Sequence, residues 1–164
     1  MSNLSGTVQT GLAVSAVNNA TVSTATFTNV AVTTGGAGAC PTGTPTGWTC
    51  QDIGGPAPAG SQSYLGMENT GGTGGNGGNG VWTVSGSGTD IWGTSDQFHY
   101  VSQPLSGDAT LSAHVEAQTN TSQYAKAGLM VRASSAANAP YYIVEVTPDV
   151  TVQPDLQSKC STGA

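Results

Sequence analysis

Ala109-Thr-Leu-Ser-Ala-His-Val-Glu-Ala-Gln118 alternates residue by residue, with Leu111, Ala113 and Val115 on one side and Thr110, Ser112, His114 and Glu116 on the other. A period of two places those apolar side chains on one face of an extended strand. Downstream, Tyr124–Ala133 repeats the pattern: Ala125, Ala127, Leu129 and Val131 share a face, and Lys126, Gly128, Met130 and Arg132 share the other. Tyr141–Thr147 follows after a Ser/Ala/Asn/Pro turn. Upstream lie two shorter strands, Val81–Ser85 and Phe98–Val101. No segment shows a helical period, so these closely spaced strands predict an all-β chain, an antiparallel β-sandwich or jelly roll.

Residues 7–32 extend the reading to the N-terminal side. Val8–Val17 carries Leu12, Val14 and Ala16 on one alternating face, and Asn18-Asn19-Ala20 supplies turn chemistry. Ser23–Val32 alternates again, with a change of phase between Phe27 and Val30 that predicts a bulge or a sharp bend. The two strands are expected to form a hairpin. Residues 33–47 read as a Gly/Thr/Pro linker, and Asn69–Gly80 as a glycine-rich surface loop. Residues 72–77 match GxGxxG literally, but no strand-to-helix context surrounds them, so no phosphate site is expected.

Composition narrows the function. Charged residues make up 7% of the chain, against about 25% in a typical domain. The 164 residues hold 24 Gly and 23 Thr, a mixture that opposes a helical bundle. Net charge is −6, and the only cations are Lys126, Arg132 and Lys159. Nucleic-acid binding, which needs several cations to displace counterions, is excluded as an expectation. No apolar stretch approaches the ~20 residues that span a bilayer, and Met1-Ser-Asn-Leu-Ser-Gly6 has neither a basic nor an apolar run, so it is not expected to act as a signal peptide. The acidic, Thr/Gly/Ser-rich, lysine-poor composition points to an extracellular or cell-surface location. Cys40 and Cys50 enclose a short segment suited to a disulfide loop, which leaves Cys160 over.

Three stretches resemble one bacterial family. They are Gly47-Trp-Thr-Cys-Gln-Asp-Ile-Gly-Gly-Pro56, Trp82-Thr-Val-Ser-Gly-Ser-Gly-Thr-Asp-Ile-Trp-Gly-Thr-Ser-Asp-Gln-Phe-His-Tyr-Val101 and Ala125-Lys-Ala-Gly-Leu-Met-Val-Arg-Ala-Ser134. The chain there is similar to the concanavalin A-like/laminin G-like jelly-roll module of secreted bacterial proteins, which often sits beside glycoside hydrolases. Residues 1–33 look like the closing strands of one such module, 34–47 like a linker, 48–153 like the first part of the next module, and 154–164 like a departing tail. The resemblance implies a sandwich that is incomplete or permuted. In such a fold the first and last strands are sheet neighbours. The hairpin would then either fold back into its own sandwich or complete that of a second copy.

Chemistry-bearing residues are few. Retaining glycoside hydrolysis needs two carboxyls about 5–5.5 Å apart, and the closest pair on one strand, Glu145 and Asp149, is interrupted by Pro148. His99 and His114 lack a nucleophile elbow or zinc-ligand spacing, and His114 is expected on the surface. The chain is therefore expected not to be an enzyme. Asp90 and Asp96 lie in a short glycine-containing loop whose oxygens suit Ca²⁺, with simple turn-capping as the alternative. Trp82 alternates with Val84 and reads as core. Trp92, between the two aspartates, and Tyr124, beside Asn120 and Gln123, are the candidate saccharide contacts. Lys126 and Arg132 share a strand face and are expected to pair with carboxylates. The expected role is a non-catalytic carbohydrate-binding or adhesion module. The alternative is a structural subunit that assembles with copies of itself by strand complementation.

Overall fold

The computed structural model describes residues 4, 6–32, 40, 43–66 and 80–148. They form nine strands: β1 (Val8–Ser15), β2 (Ser23–Val32), β3 (Thr49–Ile53), β4 (Ser61–Leu65), β5 (Val81–Gly86), β6 (Phe98–Leu105), β7 (Leu111–Gln118), β8 (Lys126–Arg132) and β9 (Tyr141–Val146). Two antiparallel sheets pack face to face, one ordered β3-β6-β1-β8-β9 and the other β4-β5-β2-β7. The all-β sandwich expected from the alternation is the observed architecture. Strands β3 and β4, which the alternation alone did not define, form the edge pair on one side.

The N-terminal hairpin does not form. β1 pairs with β6 and β8 in the five-stranded sheet, whereas β2 pairs with β5 and β7 in the other. Each strand carries an apolar face, Leu12 and Val14 on one and Ala25 and Phe27 on the other. In a hairpin those faces would lie side by side. Placed in opposite layers they face each other across the core, which buries both. The turn suits the crossing: Val17 adopts φ 52°, and Asn18 Oδ1 accepts the Ala20 N–H at 2.9 Å. β1 and β2 are thus internal strands of the chain's own two sheets.

The phase change in β2 is a bulge. Its pairing with β7 shifts register between Thr26 and Phe27 and again between Thr28 and Ala31, with Asn29 at φ 51°. Bending the strand there keeps Phe27, Val30 and Val32 all in the core.

Between the sheets, Leu12, Val14, Phe27, Val84 and Val101 pack around Trp82. Trp48 and Tyr64 close on that indole with ring centroids 5.1 and 5.0 Å away. Tilted pairs of this kind add about 0.5–1.5 kcal/mol each beyond area burial. A disulfide joins Cys40 to Cys50 and packs against the same cluster. The Cys40 N–H also donates to the Trp48 carbonyl at 2.9 Å, so cystine and indole are fixed together.

A second apolar cluster lies on the opposite face of the five-stranded sheet: Ala13, Ile53, Ile91, Phe98, Tyr100, Met130, Tyr141 and Ile143. The β5–β6 loop (87–97) and the β8–β9 loop (133–140) contribute to its cover through Ile91 and Ala137. β1 is accordingly buried along almost its whole length on both faces.

Candidate ligand-binding loops

The β5–β6 loop is closed at its base by side chains. Gln97 Oε1 accepts from the Thr89 N–H and hydroxyl at 3.3 and 3.2 Å, and the Gln97 N–H donates to the Asp90 carbonyl at 2.8 Å. Gly88 sits at φ +111° where a Cβ would strike the Gln97 backbone, so only glycine makes this turn. Ile91 drops into the second cluster, and the next residue, Trp92, stands 54% exposed. Burial of one neighbour presents the other.

The β7–β8 loop is pinned to the body by hydroxyls. Ser23 Oγ donates to the Thr119 carbonyl at 3.1 Å, and Thr121 Oγ1 donates to the Ala16 carbonyl at 3.1 Å. Within the loop, the Tyr124 N–H donates to Ser122 Oγ at 3.2 Å. Asn120 and Gln123 are exposed, and Tyr124 is 60% exposed. All four sequence-predicted contact residues therefore reach solvent, on two loops.

One cation ties those loops. Lys126 Nζ lies 2.6 Å from Asp90 Oδ1 and donates to the Tyr124 carbonyl at 3.3 Å. The Lys126 side chain is 7% exposed and Asp90 32%. Beneath the same loop, Arg132 is fully buried, with Nη1 3.1 Å from Asp96 Oδ2. Its Nε and Nη2 donate to the Ser134 and Ala136 carbonyls at 2.8 and 2.6 Å. Phe98 and Tyr141 lie 5.2 and 5.8 Å from its guanidinium carbon. The expected pairing of Lys126 and Arg132 with carboxylates is present, and the partners are the two loop aspartates.

Burial pushes the Asp96 carboxyl up from 3.8 to about 6, outweighing the Arg132 guanidinium; Asp90 raises it further, and a backbone hydrogen bond from Trp92 lowers it. Burial also raises the Tyr100 and Tyr141 phenols well above their usual range. The Tyr100 hydroxyl spends itself on the Gln9 and Met130 carbonyls, 3.0 Å from each.

Calcium fits these residues poorly. It takes six to eight oxygen ligands, and both Asp90 and Asp96 already neutralise a cation of the chain. Among the described residues no group of three or more His, Cys, Asp or Glu side chains comes together.

A second polar cluster escaped the sequence reading. His99 Nδ1 lies 2.7 Å from Asp52 Oδ1, and Nε2 lies 2.7 Å from Gln62 Oε1. Asp52 and His99 are direct cross-strand partners on β3 and β6, while Gln62 comes from β4 of the opposite sheet. Asp52 also accepts the Gly60 N–H, and a Cβ at Gly60 would overlap the imidazole. Both ring nitrogens are occupied and the ring is buried. The arrangement bridges the two sheets. Only the pairing register joins Asp52 to His99, and no spacing in the sequence announces it.

His114 is exposed, beside Glu116 at 3.4 Å. Asp149, Cys160 and the glycine-rich run at 72–77 lie outside the described residues. Near the start of β1, a cleft of about 710 Å³ is lined by residues that include Val8, Leu105, Asp108, Val131 and Tyr142; none of the predicted contact residues reaches it. Comparison with protein families, curated proteins and solved structures finds no match for the chain.

Proposed function

We propose that the chain is a non-catalytic, extracellular carbohydrate-binding or adhesion module of the concanavalin A-like/laminin G-like kind. One observation carries the reading: Trp92 and Tyr124 are the two most exposed aromatic side chains among the described residues, and they stand on loops joined through Lys126. Exposed aromatic rings lose little entropy when a sugar stacks on them, and fixed loops lose less still. Asn120 and Gln123 add amide donors and acceptors suited to hydroxyls. The two-layered antiparallel architecture and the resemblance of residues 47–56, 82–101 and 125–134 support the same reading.

Affinity electrophoresis through a panel of immobilised polysaccharides tests it. The wild type is expected to be retarded by at least one polymer, and Trp92→Ala with Tyr124→Ala to lose about tenfold or more of that affinity, equivalent to about 1.4 kcal/mol. Equal retardation of both proteins, or none with any polymer, overturns the proposal.

A second reading, association with copies of itself, draws on β9. Tyr142 and Val144 are exposed there, on the last strand among the described residues, and exposed apolar strands at a sheet margin recruit others. Light-scattering mass that grows with protein concentration supports it; a constant monomer mass removes it.

A further inference from the structure

We infer that the Trp92/Tyr124 loops select uncharged saccharides and reject anionic ones, with the Asp90–Lys126 pair as the selecting device. The inference rests on the saccharide reading above and specifies its ligand class.

A uronate, sulfate or phosphate group is held most strongly by a cation that can turn toward it. The chain has three cations. Arg132 is fully buried and held by Asp96 and by the Ser134 and Ala136 carbonyls. Lys126 is the cation between the two loops, and its ammonium is committed to Asp90 Oδ1 at 2.6 Å and to the Tyr124 carbonyl. Lys159 lies outside the described residues, against a net charge of −6. Of the pair, the carboxylate side is the more open, 32% against 7%. An approaching anion therefore meets Asp90 before Lys126, and repulsion adds to the cost of breaking the pair. A neutral sugar meets no such cost.

The same pair also positions the aromatics. Trp92 follows Asp90 by two residues, so its Cα lies within about 7 Å of that of Asp90. The Tyr124 carbonyl is 3.3 Å from the same ammonium. Breaking the pair frees the ammonium and unties the loops in one step.

The test compares neutral polymers (a linear β-glucan, a mannan, chitin oligosaccharides) with anionic ones (polygalacturonate, alginate, chondroitin sulfate), at about 0.01 M and about 0.15 M salt. The wild type is expected to bind a neutral polymer with less than about twofold change between the two salts, and no anionic polymer at either. Asp90→Asn is expected to weaken neutral binding about threefold or more and to gain anionic binding at the lower salt only. Circular dichroism and the unfolding midpoint check that this variant folds; the wild-type salt series stands without it. Wild-type binding to an anionic polymer in preference overturns the inference while leaving saccharide binding in place. Retention of no polymer of either kind overturns the saccharide reading, and the inference with it.

Discussion

The five-stranded sheet is covered on both faces, by two different kinds of structure. Its inner face meets the second sheet, and strand side chains fill the space with Trp82 at the centre. Its outer face is roofed in part by the 87–97 and 133–140 loops, and beneath them Phe98, Tyr100, Met130 and Tyr141 lie with a buried guanidinium. The inner core is held by area and shape. The outer one depends on a charged group whose hydrogen bonds are spread over both loops. A charge in a low-dielectric place stabilises only when its partners are present.

Arg132 and Trp82 therefore carry the largest expected effects. Arg132→Met leaves the Asp96 carboxylate buried without its cation and is expected to cost about 3–5 kcal/mol in urea unfolding. Trp82→Ala costs a similar amount, about 3–5 kcal/mol, by leaving a cavity. Hydrogen exchange separates the two cores. Arg132→Met should strip protection first from the 87–97 and 133–140 segments, Trp82→Ala from both sheets together. Adding Asp96→Asn to Arg132→Met should recover part of the loss, because the stranded charge is gone. If the double variant is no better than Arg132→Met, the outer cover is held by packing, and the contrast between the cores fails.

The inner core has its own staple. Cys40 and Cys50 close a loop of sequence separation 10 against Trp48. The chain-entropy relation gives about 2.7 kcal/mol for a loop of that length. Cys40→Ser with Cys50→Ser is expected to lower stability by about 2–3 kcal/mol, with exchange at 87–97 following the global change. Selective loosening of that loop would show that the staple serves the outer face.

The two cores also differ in how far they were legible. Strict alternation in β7 and β8 and the phase change in β2 give the sandwich, its inward residues and its bulge, because a period of two is a local property. Which strands pair is not local. Nothing within 7–32 distinguishes a hairpin from two facing strands, since both bury Leu12 and Phe27 after a turn. The outer core was opaque for a further reason: its cover consists of loops without a period. Lys126, Gly128, Met130 and Arg132 look like the weaker face of β8, yet all four are buried. The charges themselves were the signal, because two cations on one face of a charge-poor strand require carboxylates nearby. At the candidate site, the exposure of Trp92 follows from Ile91 taking the buried position, a choice between adjacent apolar residues that alternation does not make in a loop.

Titration sharpens the contrast further, with a somewhat smaller expected effect. Burial holds the folded-state Asp96 carboxyl at about 6, above the ordinary 3.8 of the unfolded chain. The folded protein thus binds this proton more tightly than the unfolded one. The associated stability is present at low pH and is lost as pH rises from about 4 through about 6. Wild type is expected to lose roughly 1–3 kcal/mol across that window relative to Asp96→Asn, measured as the difference between their urea midpoints at each pH. A difference of the opposite sign would mean that Arg132 outweighs burial and that the outer core is an ordinary ion pair.

The smallest expected effect on stability belongs to Trp92, and it decides whether the outer cover ends at Ile91. Trp92 is more than half exposed, directly beside a residue that is almost wholly buried. If the indole only faces solvent, Trp92→Ala changes stability by no more than about 0.5 kcal/mol, as surface substitutions do. Its effect is then confined to ligand retention. The same substitution at Ile91 removes a filled position in the second cluster and is expected to cost about 2–4 kcal/mol. Urea unfolding of both variants reads the two numbers side by side. A Trp92→Ala cost above about 1 kcal/mol would make the indole part of the roof, with its exposed edge incidental to packing. A cost near zero places the indole outside the roof, and polysaccharide retention by the same variant then decides whether the ring serves a ligand.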